Sequence, residues 1–205
     1  MNYGEIRTQF KAILNRRDCS NTLADTFLNQ SLQRCTRELR TPAQEAQTSM
    51  TVADPFNGVP VPSTIVQTIA MMAEVTGGQQ RKLTYYPLAR FLELDNEGPS
   101  QPAYYTRIGS FYQIKPTPPV DTVLTLYYYS DFEQFAGDTD ETVLSLIASD
   151  LLIYGALAYA ADYFMDDRGQ AFEARYAQIA QALQDQAYDL DGHDAAVSPA
   201  YTTPY

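Results

Sequence analysis

Between Thr142 and Phe164 the chain reads TVLSLIASDLLIYGALAYAADYF, inside its longest run without Pro, Lys or Arg. The stretch has no strand-like alternation. Plotted at about 100° per residue, Val143, Ile147, Leu151, Tyr154 and Ala158 make one apolar row. Leu146, Ile153, Leu157 and Phe164 make a second row beside it. Two adjacent rows predict a helix buried on more than half its circumference, central among other helices rather than at their rim. Asp150 falls between the rows, and a carboxylate there requires a cationic or hydrogen-bonding partner. The stretch is nearly long enough to cross a bilayer. Asp150 would then cost about 2.5–3.5 kcal/mol at the helix centre. The flanks (Asp138, Asp140, Glu141, Asp166, Asp167) are acidic, with no basic anchor before Arg168. The expectation is a buried helix with no membrane partner.

Helical spacing recurs at both ends of the chain. Tyr3, Ile6, Phe10, Ile13 and Leu14 predict a first helix over 2–16. Ala24, Leu28, Leu32, Cys35 and Leu39 predict a second, which Pro42 stops. Phe172, Tyr176, Ile179 and Leu183 predict a last helix over about 169–188. Between these lie short strand-like segments: 47–53, a long or broken strand over 63–76, 83–86, 104–108, 111–115 and 123–129. Gly109-Ser110 is placed as a hairpin turn, and Pro87 as the first turn of a short helix. The predicted fold class is α+β: a four-helix bundle of two N-terminal and two C-terminal helices, with a β-rich insertion between helices 2 and 3. The expected domains are 1–42 with 138–188 as the bundle, 43–137 as the insertion and 189–205 as an extended or disordered tail. Arg34, at the edge of the second helix's stripe, is the expected ion-pair partner of Asp150.

The 205 residues carry a formal charge of -11, which argues against a free-standing nucleic-acid binder or attraction to anionic lipid. MNYGEIRTQF has no apolar core of a secretory signal. Cys19, Cys35 and the single His193 leave little for a zinc site, and no Ser-His-Asp set can be built around one His. The cysteines are expected as reduced, structural thiols. Asp189, Asp191, His193 and Asp194 form the only metal-like cluster, but its Gly is misplaced for a calcium loop. Asp166-Asp167 and Asp138, Asp140, Glu141 are expected as favourable charges near helix N-termini rather than as catalytic carboxylates. No catalytic, cofactor or metal residues are assigned.

Several segments occur in a particular order: Tyr3…Ile6…Phe10, then Arg34…Leu39, then Val59-Pro60-Val61-Pro62. Tyr112-Gln113-Ile114-Lys115-Pro116…Pro119 and Leu124-Thr125-Leu126-Tyr127-Tyr128 follow, and Asp150-Leu151-Leu152-Ile153-Tyr154-Gly155-Ala156-Leu157…Ala160…Tyr163-Phe164 closes the series. In this order the chain, over about residues 1–188, resembles the tailed-bacteriophage head-to-tail adaptor (connector) proteins. The resemblance implies a structural virion protein, made in the host bacterial cytoplasm and placed in the neck. There a twelvefold homo-oligomeric ring docks beneath the portal protein, receives tail or nozzle proteins and lines the DNA channel. DNA would pass without specific binding, no bond would be made or broken, and no cofactor would be needed. The tail is expected to order on portal or tail proteins, with Tyr201 and Tyr205 as anchors and Tyr188, Pro199 and Pro204 beside them. Two alternatives stay open: another neck or tail-completion protein of the tail-tubular or gatekeeper type, and a virion-associated cell-wall hydrolase.

Overall fold

A computed structural model describes residues 1–54, 56–75, 78–95 and 100–192. Among the described residues the chain forms six α-helices and seven β-strands, divided between two compact units. One unit joins Met1–Ala43 to the chain from Phe132 on, and the other is Gln44–Asp131.

The helical unit starts with α1 (Tyr3–Leu14) and α2 (Asn21–Glu38). Asn2 and Glu5 make a reciprocal capping box, which satisfies two otherwise unpaired backbone donors. Two further donors at this end, the N–H groups of Tyr3 and Gly4, find the carbonyls of Asp140 and Asp138. Ser20 caps α2. The later helices are α4 (Val143–Ile147), α5 (Ser149–Phe164) and α6 (Gly169–Gly192). α5 packs against α1, α2, α4 and α6 and buries Leu151, Leu152, Ile153, Ala156, Leu157 and Ala160. Phe10, Leu14, Phe27, Leu32 and Tyr176 complete this core. Gly155 lets α5 approach Ser31 and Tyr176, since a Cβ there would lie 2.3 Å from Ser31 Oγ.

The sheet unit holds β1 (Glu45–Thr51), β2 (Val59–Pro60), β3 (Ile65–Val75) and β4 (Gln79–Tyr85). The short helix α3 (Leu88–Glu93) leads to β5 (Tyr104–Ile108), β6 (Phe111–Lys115) and β7 (Val123–Ser130). Their order is β1-β7-β3-β4-β5-β6-β2, a mixed sheet curled into a nearly closed barrel. Every pair is antiparallel except β4 and β5, where Thr84 faces Tyr104 and Tyr85 faces Tyr105. β5 and β6 turn at Gly109, whose φ of 60° suits a residue without a Cβ. Met71, Leu83, Tyr105, Tyr112, Leu124 and Leu126 face inward and form a core of their own.

The expected architecture, a four-helix bundle carrying a β-rich insertion, is therefore corrected. Residues 44–131 make a seven-stranded sheet with its own buried core, and the helices number six. The central stretch is two helices, because Ala148 leaves helical geometry at φ -145°, ψ 57°. Val59-Pro60, outside the expected strands, pairs with Phe111-Tyr112 as an edge strand. Proline is tolerated at such an edge.

Candidate functional site

The break at Ala148 reshapes the surface of the helical unit. Thr142 Oγ1 accepts from the Ser145 N–H, and Ser145 Oγ accepts from the Thr142 N–H, so a new helix starts at Val143. This five-residue helix turns Leu144 inward and leaves Val143, Leu146 and Ile147 exposed at 50%, 63% and 57%. Beside them lies an apolar cavity of about 170 Å³, lined by Leu39, Phe132, Leu144, Ile147, Leu183 and Ala187. A groove continues from Ile147 and Leu183 between α5 and α6, past Tyr154 to Arg175. Adjacent exposed apolar side chains beside a concavity are the usual mark of a surface that meets another molecule.

The same break displaces Asp150. Its carboxylate is exposed on the first turn of α5, where the Leu151 N–H donates to it at 2.9 Å and negative charge is favoured. Arg34 and Asp150 are not brought together. The Arg34 guanidinium instead donates to both oxygens of Glu173 at 2.8 and 2.6 Å, and to Glu38 at 2.9 Å. It also lies 3.9 Å over the Tyr176 ring. The Tyr176 hydroxyl donates to the second Glu38 oxygen at 2.8 Å. This network clamps α2 to α6. Arg34 holds the Glu173 carboxyl below its ordinary range. Burial pushes the nearby Cys35 thiol up to about 12, so it stays protonated. Cys19 and Cys35 are both free and buried.

Asp166, Asp138 and Asp140 have structural partners. Asp166 accepts from the Arg168 N–H and guanidinium, while Arg168 also donates to the last carbonyls of α1, Ile13 O and Leu14 O. Arg168 thereby joins the end of α1 to the start of α6 and holds the Asp166 carboxyl down at about 2. A depressed carboxylate stabilises the fold above the ordinary Asp range, and that contribution is lost as pH falls toward 2. An NMR titration should find Asp166 titrating near 2, and near its ordinary value in Arg168→Ala. Asp138 pairs with Arg7 rather than serving the central helix, and Asp140 accepts from the N–H groups of Ala136 and Gly137. Among the described residues, no group of three or more His, Cys, Asp or Glu is placed to hold a metal. Nor is any helix there long and apolar enough to cross a membrane.

Tyr188, on α6, is 77% exposed. Pro199, Tyr201, Pro204 and Tyr205 lie outside the described residues, as do His193 and Asp194. What sequence reasoning missed is the exposed face of α4, because it placed Val143 and Ile147 in one row with Leu151. Ser149-Asp150, two residue types that favour the start of a helix, are the signal that could have revealed the break.

The family model described as SU10 adaptor protein matches residues 1–202. The chain belongs to the SU10 adaptor protein family. The resemblance to phage adaptors seen in the sequence thus holds at the level of the family. An SU10-family adaptor is a structural component of a phage virion that works by interacting with other virion proteins. In that light the exposed α4 face and its cavity are a candidate protein-binding surface. No curated protein matches the sequence significantly.

Proposed function

We propose that this SU10-family adaptor assembles as a ring of identical subunits, twelve in number, that docks beneath the portal protein, receives the tail or nozzle proteins and lines the DNA channel. The observation that carries this reading is the solvent-facing apolar surface of α4, formed by Val143, Leu146 and Ile147. A closed ring uses a heterologous contact, so each subunit needs two different, complementary patches. The sheet unit supplies a second apolar surface in Ile108 and Phe111, at the end of the β5–β6 hairpin. Twelve copies at -11 each make a strongly acidic ring, which favours a channel that repels DNA phosphates over one that binds them. Tyr188 with Pro199, Tyr201, Pro204 and Tyr205 forms the proposed docking set toward the portal and tail partners.

The test is the mass of the purified protein, alone and mixed with portal. Leu146→Asp with Ile147→Asp should weaken assembly at least about 30-fold, the effect of losing an interfacial anchor. Thermal stability should not move, because both side chains are already exposed. A double variant that assembles as well as the parent would overturn the reading. A density map of the neck in which this chain touches tail proteins and not portal would replace it with a tail-completion role.

A further inference from the structure

We propose that the surface meeting the α4 face is the outer corner of the sheet unit of a second copy of this chain, formed by α3 and the β5–β6 hairpin. Side chains alternate between the two faces of a strand. Tyr112 and Ile114 on β6 are buried, so Phe111 and Lys115 project outward. Lys115 Nζ donates to the carbonyls of Phe91 and Leu94 at 3.1 and 2.7 Å, which fixes α3 on that outer side. Leu88 and Leu92, four residues apart on α3, stay exposed. So do Ile108 and Phe111, which face each other across the hairpin. Because α3 packs against β5, all four apolar side chains stand at one corner of the unit.

The charges around the two surfaces have opposite signs. All five basic residues of the sheet unit, Arg81, Lys82, Arg90, Arg107 and Lys115, lie on β4, α3, β5 and β6, where Glu93 is the one acidic residue. Arg81, Lys82, Arg90 and Arg107 are exposed. Arg107 Nε donates to the Gly109 carbonyl at 3.1 Å, which holds the guanidinium at the end of the hairpin. From Phe132 to Asp150, by contrast, the chain has five acidic residues and no basic one. Asp138 pairs with Arg7, and Asp140 is half-buried. The other three are exposed: Glu141 and Asp150 flank α4 in sequence, and Glu133 follows Phe132 of the cavity wall.

Charge decides which partner fits. Two copies of a chain of charge -11 repel each other unless unlike patches meet. This pairing lays a basic rim on an acidic one while apolar side chains cover apolar side chains. The cavity beside α4, at about 170 Å³, has room for one side chain of the corner. Because the two surfaces differ, a joined pair still presents one free surface of each kind, and a further copy can add. The contact names the neighbour of the α4 face in the ring proposed above and rests on that reading for its closure.

Two variants of the full-length protein, each with one surface spoiled, test the contact by sedimentation. Leu92→Asp with Ile108→Asp spoils the sheet corner, and Leu146→Asp with Ile147→Asp spoils the α4 face. All four side chains are exposed, so circular dichroism should find both variants folded. Each alone should stay monomeric at concentrations where the parent assembles. Mixed one to one, they should form pairs and stop at two, because a pair holds the one intact contact. Raising salt from about 50 to about 500 mM should weaken the pair at least about tenfold, since its rim charges are then screened. A mixture that stays monomeric where the parent assembles would overturn the proposal and leave the ring standing. A sheet-corner variant that dimerises alone would overturn it as well, since α4 would then meet α4. A parent that stays monomeric both alone and with portal would overturn contact and ring together. A parent that grows into open filaments, with the mixture still pairing, would keep the contact and remove the ring.

Discussion

Gly155→Leu should unfold the helical unit at a cost of about 3 kcal/mol or more, and Gly155→Ala should cost about 1–3 kcal/mol despite alanine's better helix propensity. The reason is the closeness of α5 to its neighbours. A Cβ on Gly155 would lie 2.3 Å from Ser31 Oγ and 3.1 Å from two carbons of the Tyr176 ring. Ser31 is fully buried, and its hydroxyl has only the weakly bonding Cys35 thiol as a side-chain partner. The Tyr176 ring cannot yield, because its hydroxyl is held by Glu38 and its face by Arg34. Ser31→Ala alone should cost about 1 kcal/mol or less, since the hydroxyl gives up only a weak bond to the Cys35 thiol. Combined with Gly155→Ala it should recover most of the loss, a coupling that a double-mutant cycle in urea would read. Full additivity of the two substitutions would show that the contact is not what limits the site.

Tyr112→Ala should cost the sheet unit about 3–5 kcal/mol, as for truncation of other large buried side chains. Tyr112 is 1% exposed on β6, with its ring 5.9 Å from that of Tyr105. Its hydroxyl shares a 2.7 Å hydrogen bond with Thr68 Oγ1 on β3. β3 and β6 are not neighbours in the sheet, so this contact crosses the interior of the curled sheet rather than following its ladder. Tyr112→Phe keeps the ring and loses the bond, and should cost about 1 kcal/mol. Unfolding followed by hydrogen exchange at β3 and β7 separates the two variants. An alanine variant as stable as the phenylalanine one would mean that the ring does not anchor this core.

The two predictions differ in how visible their causes were. Tyr112 stood inside a recognisable strand next to a recognisable hairpin turn, although which face of the strand it would take was not assigned. Gly155 stood in a helix of known period, but nothing local indicated which side chain would approach it. The candidate surface divides in the same way. The apolar character of Val143, Leu146 and Ile147 was plain, yet a continuous helical wheel turned Val143 and Ile147 inward. The break at Ala148 reversed that for both. Asp150 was expected to need a cation and Arg34 to supply it, but Arg34 pairs instead with Glu38 on its own helix and Glu173 on α6.

Taken alone, the sequence determined the periods of α1, α2 and α6, the sites of β5, β6 and β7, the turn at Gly109 and the net acidic charge. These depend on interactions within about four residues, or on composition, so they survive without knowledge of the rest of the chain. Tertiary structure alone decided the order of the seven strands, the parallel pairing of β4 with β5, the break at Ala148, the partners of Arg34 and the cavity beside α4. Each of those is a choice among distant groups with similar local credentials, settled by which of them packing brings within a few ångströms.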